Sequence, residues 1–139
     1  MQDIVIITGS LDIASTVSTK LEKGEITRKL VLLGGEMDPK QRATRPAARL
    51  EVLDNAYFTK AFLGASALSE EGPPLYATER CESNRVIIRQ TEKVFLLAES
   101  AKFLKTSIYR YAMYDGFDCF ITDDAHAIPQ SVAEKLADG

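Results

Sequence analysis

The chain has no tryptophan, one histidine and two cysteines. With His126 alone, a serine–histidine–aspartate triad has a single candidate base and nothing in the sequence to position it. Asp123, Asp124 and His126 follow an apolar run closely, and such a polar cluster reads as a solvated turn before it reads as a metal site. Cys81 and Cys119 lie far apart and form no C-x-x-C pair. That removes zinc-ribbon and redox-motif readings and leaves two buried free thiols as the expectation. No P-loop, G-x-G-x-x-G or zinc spacing occurs, so no cofactor and no metal are expected. No apolar run approaches the roughly 18 residues of a membrane span. The opening MQDIVIITGS lacks the charged and apolar regions of a signal peptide. A soluble, cytoplasmic chain with no membrane partner is expected. Positive charge is also scarce: 17 Lys and Arg against 20 Asp and Glu give a formal net charge of -3. That balance does not build a face that grips a phosphate backbone, so these residues alone are not expected to bind nucleic acid.

What is present is an ordinary globular composition. The 139 residues suit one domain, and 45% hydrophobic residues suffice for a core without disulfide staples. Five apolar runs read as strands: Asp3–Thr8, Lys29–Gly35, Lys60–Ser66, Lys93–Ala98 and Asp118–Asp124. Helices are expected between them. One follows Ser10, with Leu11, Ile13, Ala14, Val17 and Leu21 on one face. A second opens at Pro46 and runs through Phe58. A third spans about Glu79 to Gln90, and the last covers PQSVAEKLAD. EMDPKQRAT reads as a loop, and ALSEEGPPLYATE as the longest loop. LKTSIYRYAMY fits either helix or strand, with its tyrosines read as core. Strands alternating with helices predict a mostly parallel, Rossmann-like α/β sheet with helices on both faces.

In open sheets of this kind, ligands bind at the carboxyl ends of the strands. The motifs there are TGS after the first strand, LLGG after the second, KAFLGAS at the third, AESAKF at the fourth and ITDD at the fifth. Their order and spacing resemble the C-terminal sensor domain of DeoR-family bacterial transcriptional regulators, from about Ile4 to Asp124. The resemblance implies a fold like that of ribose-5-phosphate isomerase and the coenzyme A transferases. It implies an effector, a phosphorylated sugar or related metabolite, and assembly into a homo-oligomer. DNA contact in that family belongs to an N-terminal helix-turn-helix domain, which these residues do not contain. The family's first sensor strand, with its Asp-x-Gly-Thr-Thr type loop, is also not found, so a chain shortened at its N-terminus is expected. The family's T-N-S is here Thr8-Gly9-Ser10, and its Gly-Pro is Arg45-Pro46.

The chemistry at these strand ends favours binding over catalysis. Thr8, Gly9 and Ser10 enter a helix, where free amides and the helix dipole attract an anion, although Ser10 reads equally as a helix cap. Gly34 and Gly35 permit close approach of a ligand or a tight turn. Glu82 and Arg85 share a helix face and match a Glu-x-Lys-Arg segment of the family, with Asn84 in place of the lysine. Lys102 matches the family's lysine after the fourth strand, and a lysine there is a mobile point charge for a phosphate. A sugar-phosphate isomerase or coenzyme A transferase-like enzyme is the alternative. The isomerase needs carboxylates at the third strand to move a proton. Here that stretch is Leu63-Gly64-Ala65-Ser66, so no enzyme activity is expected.

Overall fold

The computed structural model describes residues 3–45, 51–75, 78–102 and 109–137. The chain divides into two compact units, Met1–Arg49 and Leu50–Gly139.

The first unit is a β-α-β element with a hairpin. Strand β1 (Asp3–Thr8) and strand β2 (Thr27–Leu32) pair in parallel, from Asp3 opposite Thr27 to Thr8 opposite Leu32. Parallel neighbours need a crossover, which helix α1 (Leu11–Glu22) supplies. The run of β-branched residues Ile4 to Ile7 favours the strand, and Ser10 starts the helix by accepting a hydrogen bond from the Ile13 amide at 3.3 Å. The helix stops at Gly24, whose amide donates back to the Leu21 carbonyl at 3.0 Å. Val17 is the buried residue of α1, whereas Ile13 is 51% exposed. The apolar face expected for this helix is thus only partly covered, because two strands offer a narrow platform.

The segment expected to be a loop after β2 is instead an antiparallel hairpin of β3 (Glu36–Asp38) and β4 (Ala43–Arg45). Its turn is built by Asp38, whose Oδ1 accepts from the amides of Lys40 (3.0 Å) and Gln41 (3.2 Å). Arg42 adopts φ +48°, and Arg45 pairs with Asp38 at 3.2 Å.

The second unit begins with the short helix α2 (Glu51–Asp54). The helix expected to run through Phe58 ends at Asp54, since Phe58 already belongs to strand β5 (Phe58–Gly64). The expected start at Pro46 lies outside the described residues. Strand β6 (Pro74–Leu75), helix α3 (Thr78–Arg89), strand β7 (Thr91–Leu97), strand β8 (Tyr109–Arg110), strand β9 (Cys119–Ile121) and helix α4 (Gln130–Ala137) follow. The ambiguous LKTSIYRYAMY segment thus contributes β8, and its residues 104–108 lie outside the described residues.

A parallel sheet in the order β5-β7-β9 organises this unit, and β6 pairs antiparallel with β8. The chain is therefore a mixed α/β protein whose larger strands are parallel. One face of the three-stranded sheet carries Ala61, Leu63, Val94 and Leu96 into the core. Cys81 of α3, Val132 of α4, Leu68, Tyr111, Tyr114 and Phe117 complete the cluster. On the other face Phe62, 61% exposed, stacks on Phe95 at 4.8 Å. Cys119 is a free thiol exposed on β9, which corrects the expectation of burial; Cys81 is buried as expected. The cause is register: Cys119 lies opposite Phe95, on the opposite side of the pleat from Leu96. Among the described residues no helix is long and apolar enough to cross a membrane.

Tyr111 and Tyr114 belong to the core, as expected. The Tyr111 hydroxyl donates to the Gly64 carbonyl at 2.8 Å, and the Tyr114 hydroxyl donates to the Ser69 carbonyl at 2.6 Å. Burial pushes the Tyr114 hydroxyl up to about 12 and the Tyr111 hydroxyl higher still. A raised folded-state value means that the neutral phenol stabilises the fold fully below the unfolded value near 10. This stability is lost as pH rises through the folded value. Urea midpoints are expected to be flat on this account through neutral pH and to fall above about pH 10. The fall should be shallower in Tyr114→Phe, which has no proton to lose.

Candidate functional site

The carboxyl ends of β1 and β2 lie side by side and bring together five of the expected residues: Thr8, Gly9, Ser10, Gly34 and Gly35. The Leu33 amide donates to the Thr8 carbonyl at 2.8 Å. The turn into α1 is closed by its own neighbours. The Ser10 amide donates to Thr8 Oγ1 (3.1 Å), and the Leu11 amide donates to the Arg42 carbonyl (2.9 Å). Thr44 of β4 lies over Gly9: its amide donates to the Gly9 carbonyl at 2.8 Å and its hydroxyl to the Leu33 carbonyl at 2.7 Å. A Cβ on Gly9 would stand 3.0 Å from Thr44 Oγ1, so the close approach of β4 already accounts for a glycine there. In the first turn of α1, Asp12 complements the helix dipole and accepts from Arg42 Nε at 2.7 Å. Gly34 has open space around it, and Gly35 takes φ +145° where the hairpin departs. The Ser10 and Leu11 amides are thus engaged within the unit, while the Thr8 and Ser10 hydroxyl oxygens act as acceptors, from the Ser10 and Ile13 amides. The sequence did not indicate Thr44 or Arg42, because both contacts depend on the hairpin.

In the second unit Lys102 closes a 3-10 turn, Ser100–Lys102, at the carboxyl end of β7. The Lys102 amide donates to the Glu99 carbonyl at 2.9 Å, and its carbonyl accepts from the fully buried Leu68 at 2.9 Å. The backbone of the lysine is therefore fixed from both sides. Its side chain is half-buried; no carboxylate among the described residues pairs with it, and Glu99 points to solvent. A lysine is a mobile point charge, and here its backbone is held while its ammonium meets no carboxylate among the described residues.

Asp123, read from the sequence as part of a solvated polar turn, stands beside this turn. Asp123 Oδ1 accepts from the Ser100 amide at 2.6 Å and from Thr122 Oγ1 at 3.2 Å, and Oδ2 accepts from the Ser100 hydroxyl at 3.3 Å. The Ser100 amide, then the hydroxyls of Ser100 and Thr122, hold this carboxyl below the usual aspartate range. Asp124 caps the next 3-10 turn by accepting from the His126 amide at 2.9 Å.

Glu82 and Arg85 lie on one face of α3, both exposed. Arg85 does not turn to Glu82. Its Nη2 donates to the Arg110 carbonyl at 2.6 Å and its Nε to the Tyr111 carbonyl at 3.3 Å. Arg110 in turn pairs with Glu71 at 3.2 Å and donates to the Glu71 carbonyl at 3.1 Å. These ties fasten the Ser69–Leu75 part of the longest loop to β8. Where the isomerase reading needs acids, β5 ends in Gly64 and is followed by Ala65 and Ser66, and the Gly64 carbonyl accepts from the Tyr111 hydroxyl.

The model of the DeoR C-terminal sensor domain matches residues 1–124. An uncharacterized HTH-type transcriptional regulator of Staphylococcus epidermidis is 26% identical over 97 residues, covering 70% of this chain and 38% of that protein. A putative aga operon transcriptional repressor of Escherichia coli O157:H7 is 23% identical over 135 residues, covering 96% of this chain and 48% of that protein. The HTH-type transcriptional regulator IolR of Bacillus subtilis is 26% identical over 122 residues, covering 87% of this chain and 47% of that protein. The chain spans less than half the length of these relatives. With the family model covering residues 1–124, the chain belongs to the DeoR C-terminal sensor domains.

Proposed function

We propose that this chain is the effector-sensing part of a DeoR-type regulator and binds a phosphorylated sugar or related metabolite at the carboxyl ends of its strands. The observation that carries the reading is Lys102, an ammonium without a carboxylate partner among the described residues, on a turn anchored to Leu68. The reading is binding without catalysis, since the end of β5 offers no acid to move a proton. Thr8, Gly9, Ser10, Gly34 and Gly35, in the first unit, are separate and secondary candidates, because the Ser10 and Leu11 amides of the turn already have partners. Glu82 is available for a sugar hydroxyl. Arg85 acts chiefly by fastening β8, and contributes to the site through that loop.

In the whole regulator, operator contact falls to a helix-turn-helix part, as the names of two relatives suggest. The effector then shifts the population of sensor arrangements in a cytoplasmic homo-oligomer. A repressor role follows the name of the aga operon relative.

The test is a thermal-shift screen with a panel of sugar phosphates, run on the wild type and on Lys102→Ala. A ligand at a hundredfold excess over its dissociation constant should stabilise the wild type by about 2.7 kcal/mol. The shift should shrink or vanish in Lys102→Ala. No shift with any compound, or equal shifts in both proteins, overturns the reading.

A further inference from the structure

We propose that Asp123 is the positioning residue of the effector site: its carboxylate holds the Ser100–Lys102 turn so that Lys102 presents its ammonium to a bound anion. This rests on the reading of Lys102 as the anion contact. It adds a residue from a different strand and a role that is separate from touching the ligand.

The argument is geometric. Asp123 follows β9 and Ser100 follows β7, neighbouring parallel strands whose carboxyl ends diverge into separate loops. The last ladder contact between these ends is the Ala98 amide donating to the Ile121 carbonyl at 3.1 Å. Beyond it the Asp123 side chain joins the two loops. Asp123 does so twice, through Oδ1 to the Ser100 amide (2.6 Å) and Oδ2 to the Ser100 hydroxyl (3.3 Å). Thr122 Oγ1 donates to Oδ1 at 3.2 Å, which orients the carboxylate. The far end of the same turn is fixed by the Leu68 amide at the Lys102 carbonyl, 2.9 Å. The three-residue turn is therefore pinned at its first and last residues by different parts of the chain. Pinning both ends restricts where the root of Lys102 can move, which is how a mobile side chain becomes a directed one.

An ionised carboxylate is acceptor-only, with two oxygens, and so can take the Ser100 amide and hydroxyl at once. Asparagine keeps one acceptor oxygen and loses the other. A negative charge near an anion site also opposes the anion directly. Charge and geometry therefore predict opposite effects for Asp123→Asn: relief of repulsion tightens binding, whereas loss of half the clamp weakens it.

The experiment is titration calorimetry on the full chain with inorganic phosphate and with ribose 5-phosphate. Wild type, Lys102→Ala, Asp123→Asn, Asp123→Ala and the Lys102→Ala/Asp123→Ala pair are compared. Asp123→Ala is expected to weaken binding about tenfold. Asp123→Asn should fall between it and wild type. The double variant should bind no more weakly than Lys102→Ala alone, because a misplaced lysine and an absent one fail alike. Wild-type affinity in Asp123→Ala, tighter binding in Asp123→Asn, or losses that multiply in the double variant each overturn the proposal. Amide exchange at Ser100 is read in parallel and should accelerate in Asp123→Ala; unchanged exchange also overturns it. A wild-type chain that binds neither probe sinks the effector-site reading itself, and the role of Asp123 in that site with it. The exchange rate then tells whether the clamp exists apart from any ligand.

Discussion

Gly72→Ala is expected to destabilise the fold by about 2–5 kcal/mol, the sum of backbone strain and overpacking. Gly72 sits at φ +131°, a region that L side chains rarely adopt. A Cβ built there would collide with the Ala112 carbonyl oxygen and approach the Ala112 carbonyl carbon at 3.4 Å. Both are main-chain atoms, so no rotamer change relieves the clash. The chain around them is also tied. The Ser69 hydroxyl donates to the Gly72 carbonyl at 2.9 Å, and Arg110 holds Glu71. Accommodating a methyl group would require moving the Ser69–Gly72 turn away from the segment after β8. Gly24→Ala is the control: its φ of +68° is also positive, but nothing lies within 4 Å. That variant should lose about 1 kcal/mol from conformation alone. Urea unfolding of both variants checks this, and equal losses at the two glycines would refute the packing half of the argument.

The second large effect is expected in the middle of β7. Leu96→Ala should lose about 2–5 kcal/mol, the usual range for a buried leucine truncated to alanine. Leu96 is fully buried and lies between Leu63 of β5 and Phe120 of β9 in register. Strands on both sides and helices α3 and α4 over the face leave little freedom to collapse onto the cavity, which favours the upper part of the range. The next residue provides the comparison. Leu97 faces the other side of the sheet and is 39% exposed. Leu97→Ala should cost less than about 1 kcal/mol, since much of its area is already in water. A domain of this size has only about 5–15 kcal/mol to lose, so Leu96→Ala should also show in expression level and protease sensitivity. If the two leucines cost the same, the assignment of the sheet's inner face is wrong.

The strands were legible because each is an apolar run stopped by a glycine or a polar cluster: DIVIIT before Gly9, and KVFLLA before Glu99. Parallel pairing followed from the helices between them. The β3–β4 hairpin was not legible, because its strands are three residues long and mostly polar. Its one local signal is Asp38-Pro39, a turn-starting dipeptide. Helix α2 was overdrawn because Leu50, Leu53 and Phe58 mimic a helical face, whereas Phe58 is recruited by the Gln90 carbonyl into the sheet.

At the site, the place of Lys102 could be read from sequence because a strand end fixes it. The availability of a donor could not. Whether Ser10 and Arg85 face a ligand depends on Arg42, Thr44, Arg110 and Tyr111, partners far along the chain that no local pattern reveals. Asp123 was visible as part of ITDD, but its hold on Ser100 depends on β7 and β9 being neighbours.

The hydroxyl-anchored tyrosines of the core have an optical consequence. All 5 tyrosines and all 6 phenylalanines fall after residue 50, and the chain has no tryptophan. The unit Met1–Arg49 is therefore dark in the near ultraviolet, and tyrosine emission or circular dichroism near 280 nm follows Leu50–Gly139 alone. Aromatic and far-ultraviolet melting curves should separate wherever the two units lose structure at different temperatures. Their divergence would measure, without any label, how far the units unfold as one.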